Sequence, residues 1–393
     1  MGFRQLAWRA LFLAGCVSAI DFNINNNETI KKSATVEFEN LLVNGVLDGT
    51  LSPINDSGYP EGMLYSSLIP YWSATGNATY NSLILMRMES VETSVFNATW
   101  KGADVPTSEY VSWGLAAMAA ADVDFPFPGD RKKSAWVFWA MAVGYKLDMI
   151  INRGAVCDGG LYDDESQKNG TEFDWFSNGA YFQLVSRIAL AFPPNKGTFI
   201  NYADNAWSWS EKNGMVNTTD WTVSQMVSNT TTVNGSTCTA VDTSRWSYAY
   251  GLYLSGAAHM YNVTGSDTWR TRTEGLLNST LDTFFVNNIL VEVGNGSASV
   301  ANHPSIAFKG FLALCLASVA NLIPDMADQI VPLLKDTAVA VAEQCDGSSN
   351  QTVCGSDWGN STYNNDPSFG NTWNAANVFT SYLLTQGNLT TGA

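Results

Sequence analysis

The sequence predicts an all-α fold, a ring of about six helical hairpins closed into an α/α toroid, and three observations predict it. Helical periodicity dominates the chain, turn signals recur at intervals suited to paired helices rather than alternating strands, and one hairpin punctuation repeats. That punctuation is Thr75-Gly76-Asn77-Ala78-Thr79-Tyr80 and again Thr264-Gly265-Ser266-Asp267-Thr268-Trp269, with a looser third copy in Pro194-Asn195-Lys196-Gly197-Thr198-Phe199. Gly76 and Gly265 suit the left-handed conformation that ends one helix, and Asn77 or Ser266 suits the cap of the next.

In chain order, helices are expected over 30–45, 62–75, 78–95, 108–121, 133–152, 176–192, 198–213, 245–262, 266–286, 304–322, 325–345 and 370–386. Glu61 precedes the second helix and Glu109 precedes the apolar run of the fourth, and both positions suit a helix start. The fourth carries the apolar run Val111 to Met118, and the tenth carries Phe311-Leu312-Ala313-Leu314. Three long polar stretches, 153–175, 214–244 and 346–369, read as loops that gather at one rim of the toroid and shape a ligand cleft.

The 393 residues are 46% hydrophobic with 14 Trp, ample for a core, and large helical toroids of this size form one domain. A net charge of −16 with no Lys/Arg block argues against a nucleic-acid partner, which needs clustered positive charge. Arg4 and Arg9, the apolar stretch Ala10 to Gly15 and the small residues Val17-Ser18-Ala19 read as a secretory signal over 1–19, leaving 20–393 as a single domain. Leu13-Ala14-Gly15-Cys16 also fits a bacterial lipoprotein box, against which fourteen Asn-X-Ser/Thr sequons, roughly twice what composition gives, favour a eukaryotic secretory glycoprotein. No later stretch is apolar for about eighteen residues, so no transmembrane span is expected, and the chain end lacks the apolar tail of a lipid-anchor signal.

Five cysteines follow the signal. Cys345 and Cys354 bracket a Gly/Ser/Asn loop and form a natural local pair, Cys157 and Cys238 both sit in loops, and Cys315 lies in an apolar run as a buried free thiol. With two histidines, His259 and His303, and no Cys-X-X-Cys spacing, no metal site and no cofactor are expected.

Glycosidic cleavage needs one acid to protonate the leaving oxygen and one carboxylate to attack or to activate water, so paired acids are the first chemistry to seek. Asp163-Asp164-Glu165 with Glu172 and Asp174 is the densest acidic cluster, although a solvated loop explains it better. Glu61 and Glu109 fit either a helix-start role or a catalytic one. Sugar rings stack on aromatic faces, and Trp72, Trp113, Trp175, Trp246 and Trp358 are among the residues available for core or cleft.

Several segments, taken together and in order, resemble the fungal mannan endo-1,6-alpha-mannosidases of glycoside hydrolase family 76, the group implicated in attaching glycosylphosphatidylinositol-linked proteins to the wall. They are Tyr71-Trp72 through Thr75-Gly76, Trp113 to Ala121, Cys157-Asp158-Gly159-Gly160-Leu161, Phe176 to Phe182, Trp246-Ser247-Tyr248, Leu254 to Asn262, Phe308-Lys309-Gly310 and Cys354-Gly355. The resemblance implies an (α/α)6 barrel, a retaining mechanism on α-1,6-mannan, and two adjacent catalytic aspartates in an Asn-Asp-Asp-Gln motif just before the Trp-Gly helix. Registered on Trp113-Gly114, that motif reads Thr107-Ser108-Glu109-Tyr110, so the nucleophile position is Ser108 and the acid/base position Glu109. Glu61, Asp104 or Asp163 then supplies the second carboxylate, and Trp72, Trp113, Trp175, Asn178, Trp246 and Trp358 are the candidate sugar-binding residues. Three further cleft positions depart from the pattern: Tyr162-Asp163, Ala249 and Gly370-Asn371-Thr372. Two functions follow from the resemblance: a hydrolase or transglycosidase acting on α-1,6-mannan in wall biogenesis, or a non-catalytic mannan-binding wall protein on the same scaffold. A monomer is favoured.

Overall fold

A computed structural model describes residues 20–45, 59–91, 105–127, 134–151, 157–162, 172–232, 235–293, 307–346, 353–366 and 368–387. The expected signal segment and the candidates Asp104 and Asp163 lie outside them. Twelve α-helices occupy the described residues: α1 (Asn27–Gly45), α2 (Tyr59–Thr75), α3 (Asn81–Val91), α4 (Thr107–Asp122), α5 (Ser134–Ile151), α6 (Trp175–Ala191), α7 (Lys196–Lys212), α8 (Ser247–Thr264), α9 (Asp267–Phe284), α10 (Phe308–Leu322), α11 (Pro324–Glu343) and α12 (Phe369–Gln386).

Six of these form a closed inner ring in which α2 packs on α4, α4 on α6, α6 on α8, α8 on α10, α10 on α12, and α12 back on α2. The inner helices are hydrophobic or small nearly all round, as a helix with neighbours on every side must be. In α4 the run Ala116, Ala117, Met118, Ala119, Ala120, Ala121 is wholly buried, and the small side chains let neighbouring backbones approach. Gly62 on α2 is the tightest such approach, since a Cβ there would fall 2.3 Å from the Ser112 hydroxyl oxygen on α4. The outer helices show the expected contrast: α7 and α9 bury one stripe (Phe199, Ala203, Trp207 and Trp269, Leu276, Leu277) and present polar residues to solvent.

Four inner helices, α2, α6, α8 and α10, pass to the next outer helix through links of at most about five residues, and the outer helices return through longer ones. The inner helices therefore run in one direction, with their N-termini and all the long connections on the same rim. Gly76 (φ 74°) and Gly265 (φ 66°) take the expected left-handed conformation at two of the short links. Ser266 stands at the N-cap of α9 without a side-chain cap bond, and Asn77 instead accepts from Thr79 in a turn before α3. The third copy of the punctuation differs: Pro193–Asn195 form a 3-10 turn and Gly197 lies inside α7, because proline supplies the bend without a left-handed residue.

The long polar stretches hold short strands: β1 (Glu172–Asp174), β2 (Val216–Asn217), β3 (Thr222–Val223), β4 (Met226–Thr232), β5 (Gly235–Asp242), β6 (Phe285–Val286), β7 (Ile289–Leu290), β8 (Cys345–Asp346) and β9 (Val353–Cys354). β1, β4 and β5 make an antiparallel sheet in that order. The expectation of a loop over 214–244 is corrected here: threonine and valine density that reads as polar linker is also what a half-exposed hairpin favours. Cys157 bonds Cys238 on β5, Cys345 bonds Cys354 across the β8–β9 pair, and Cys315 is a buried free thiol. No described helix is long and apolar enough to cross a membrane.

Candidate active site

The first turns of the six inner helices meet at one mouth, and they carry Glu61, Ser108, Glu109, Trp175 and Asn178 among the residues that sequence singles out. Glu61 lies in the first turn of α2, where its Oε1 accepts from Arg87 of α3, at 2.8 Å from Nε and 2.6 Å from Nη2. Glu109 occupies the first turn of the neighbouring α4, half-buried; burial, and secondly the charge of Glu61, raise its hold on a proton above that of an ordinary glutamate. The structure thus brings together two of the predicted acids, one paired with an arginine and the other holding its proton more firmly than usual.

Ser108 is 3% exposed, and Thr107 beside it donates to the Tyr162 carbonyl and lies 3.4 Å from the Ser177 hydroxyl of α6. Asn178 serves α6 itself: its amide donates to the carbonyls of Leu161 and Asp174, and its oxygen accepts from the Leu161 N–H. These bonds fix the Cys157–Leu161 turn against the helix and use the side chain from both ends. Asp174 caps α6 by accepting from Ser177 N at 2.7 Å.

The tryptophans divide. Trp113 is buried in the ring wall, stacked on Tyr65 at 5.4 Å, and Trp72 lies in the last turn of α2, at the opposite end from the mouth, edge-on to Phe125. Trp175, Trp246 and Trp358 do lie at the mouth. Trp175 opens α6 and meets Tyr248 and Phe308 edge-on. Trp246 precedes α8 and donates through Nε1 to Gln225 at 2.7 Å. Trp358 is buried, its ring face 3.6 Å from the Lys309 ammonium.

Sequence reasoning missed Glu292 and Lys309 as titrating groups. Glu292 accepts from the N–H and hydroxyl of Ser247, at 2.9 and 2.5 Å, at the start of α8; burial pushes its pKa up to about 7. Lys309, in the first turn of α10, donates to the Ser356 carbonyl at 2.8 Å; burial lowers it to about 8 against the opposing pull of Glu292, Asp357 and Asp366. The Phe308-Lys309-Gly310 run is visible in sequence, but nothing in it announces that the lysine is buried beneath a tryptophan brought from fifty residues downstream.

Among the described residues, one cluster of three metal-ligand types exists, Glu37 with Cys345 and Cys354, and there the disulfide has taken both sulfurs. Beside the mouth, a cleft of about 490 Å³ opens between β2, β3 and the end of α7, lined by Glu211, Asn217, Asp220, Thr222 and Arg245 among others.

A ring of parallel inner helices with acids at its N-terminal rim defines a class of carbohydrate-active fold, and comparison with known proteins assigns the family. The profile described as glycosyl hydrolase family 76 matches residues 29–393, and the chain belongs to that family. A Schizosaccharomyces pombe protein provisionally named a mannan endo-1,6-alpha-mannosidase is 31% identical over 91% of this chain and 80% of its own length. The mannan endo-1,6-alpha-mannosidase DCW1 of Saccharomyces cerevisiae is 27% identical over 90% of this chain and 79% of its own. Among solved structures, Dfg5 from Chaetomium thermophilum in complex with glucosamine superposes with a TM-score of 0.80 at 24% identity, covering 94% of this chain and 93% of that one. An inactive variant of the α-1,6-mannanase of a Salegentibacter species, in complex with α-1,6-mannotriose, superposes at 0.68 with 14% identity over 91% of this chain and 99% of its own. The fold is that of these (α/α)6 enzymes.

Proposed function

We propose that the chain acts on α-1,6-linked mannan as a glycoside hydrolase or transglycosidase in fungal cell-wall biogenesis. Family membership supports the reading, and one observation carries it: Glu109, whose proton is held more firmly than an ordinary glutamate's, stands on the inner helix next to that of Glu61, which is paired with Arg87. Pairs of acids whose surroundings separate their proton affinities are the usual acid/base assignment in glycosidases. Glu109 would hold its proton for the leaving-group oxygen and, once ionised, take one from water or from an acceptor hydroxyl. Glu61, paired with Arg87, is the candidate to stabilise the oxocarbenium-like sugar, with Asp104 and Asp163 as the other candidates.

The test is cleavage or transfer on α-1,6-mannooligosaccharides by the purified chain. Glu109→Gln is expected to lower kcat by about 10² or more, the usual contribution of a positioned acid. Uncleaved substrate, with E109Q indistinguishable from the parent, overturns this reading.

A second reading is favoured by Ser108, a neutral hydroxyl at the position where the family motif carries an aspartate, and nearly without exposed surface. A hydroxyl stabilises a developing sugar cation far less than a carboxylate does. On this reading the protein is a mannan-binding wall glycoprotein that binds saturably without turnover. In both, residues 1–19 direct secretion, residues 20–393 form one domain, and the protein works as a monomer outside the cell.

A further inference from the structure

The aromatic residues at the mouth are continuous across it. In the ring order α4 separates α2 from α6, yet Tyr59, the first residue of α2, and Phe176, the second of α6, meet with ring centroids 4.7 Å apart. Gly62, on the same turn of α2 as Tyr59, packs on Ser112 of α4, and Thr107 lies 3.4 Å from Ser177, next to Phe176, so that contact lies beside the N-terminal turn of α4. From Phe176 the row continues to Trp175 at 5.6 Å and Tyr248 at 6.0 Å, and from Tyr248 to Phe308 at 6.0 Å. Phe176 is 4% exposed, Trp175, Tyr248 and Phe308 are buried with it, and Ser108 in the α4 turn is sealed to 3%. A saccharide needs hydroxyl-lined space around its reacting carbon, whereas the rings from Phe176 to Phe308 are packed on one another and buried.

We propose that Tyr59 and Phe176 form an aromatic gate over Ser108 that determines which saccharides the mouth accepts. Closed, it leaves glycan only the surface of the rim, so that a chain lies across the mouth; parted, it admits a single sugar to the α4 turn. The saccharide half of the proposal rests on the mannan reading above, whereas the gate itself rests on packing alone.

The two halves can be separated in one set of variants. Ser108→Cys places a thiol under the gate, and Cys315, at 6% exposure, is an internal reference thiol. Under native conditions, with iodoacetamide as the probe and labelling of each cysteine read by peptide mass, Cys at 108 is expected to react as slowly as Cys315. Adding Phe176→Ala or Tyr59→Ala should accelerate its labelling at least about tenfold while Cys315 is unchanged, the sign of local rather than global opening. Where alanine also accelerates Cys315, Phe176→Leu and Tyr59→Leu are read by the same ratio. Rapid labelling with the gate intact, or no acceleration in either pair of variants, overturns the gate.

Titration calorimetry with α-1,6-mannotriose, on chains with Ser108 retained, then tests the saccharide. F176A is expected to bind at least about tenfold more tightly than the parent, a difference of about 1.4 kcal/mol. Opening by the labelling criterion with no binding by parent or variant leaves the gate standing and overturns the mannan reading. Equal binding by both, despite opening, overturns the gate as the determinant of specificity.

Discussion

Glu61 and Glu109 both occupy the first turn of an inner helix and both are partly buried, and Glu61 is the one that pairs with Arg87. Replacing Arg87 with Met should leave Glu61 an uncompensated neighbour and strengthen Glu109's hold on its proton further. The alkaline limb of any pH–rate profile is then expected to move to higher pH in R87M. Glu292 has a consequence for stability. Its folded pKa, raised to about 7, exceeds the value near 4.5 of the unfolded chain, so the folded state keeps a proton that the unfolded state has already released. Stability present below about pH 4.5 is therefore lost as pH rises towards 7, by up to about 3 kcal/mol. Glu292→Gln keeps an acceptor for Ser247 and cannot ionise, so denaturant midpoints of E292Q should fall less than those of the parent across that interval. None of this is legible in sequence: Glu61 and Glu109 are visible as acids before helices, but Arg87 and Ser247 reach their partners only through packing between helices.

The helices themselves are largely legible. All twelve appear where periodicity and turn residues place them, because helix period, glycine stops and short links are local properties of the chain. The hairpin β4–β5 is not, since Thr and Val in a polar stretch suit a loop and a strand equally until the partner strand is present. The spacing between elements is also invisible in the sequence. Gly62 gives no sign of the Ser112 hydroxyl and backbone carbon 2.3 and 2.7 Å from its missing side chain. Gly62→Ala should force α2 and α4 apart and cost about 1–3 kcal/mol, as overpacking does, measurable by urea denaturation. A G62A midpoint equal to that of the parent would show that the ring yields at this contact without cost.

For the whole molecule, the two disulfides close spans of very different length, 81 residues for Cys157–Cys238 and 9 for Cys345–Cys354. Chain entropy assigns the longer span about 4.5 kcal/mol and the shorter about 2.5. Melting temperatures of the C157S/C238S and C345S/C354S double variants should therefore fall unequally, further for the first pair. The long bridge ties the turn before α6 to β5 and so holds the mouth's outer wall to its inner ring. The six inner helices point the same way, and their backbone dipoles add at the mouth, each N-terminus contributing about half a positive charge. A sugar passing through a cationic state there is repelled by the scaffold itself, and only the acids around the rim offset that field. Every carboxylate exchanged for a hydroxyl would shift the balance of the mouth from welcoming a cation towards welcoming an anion.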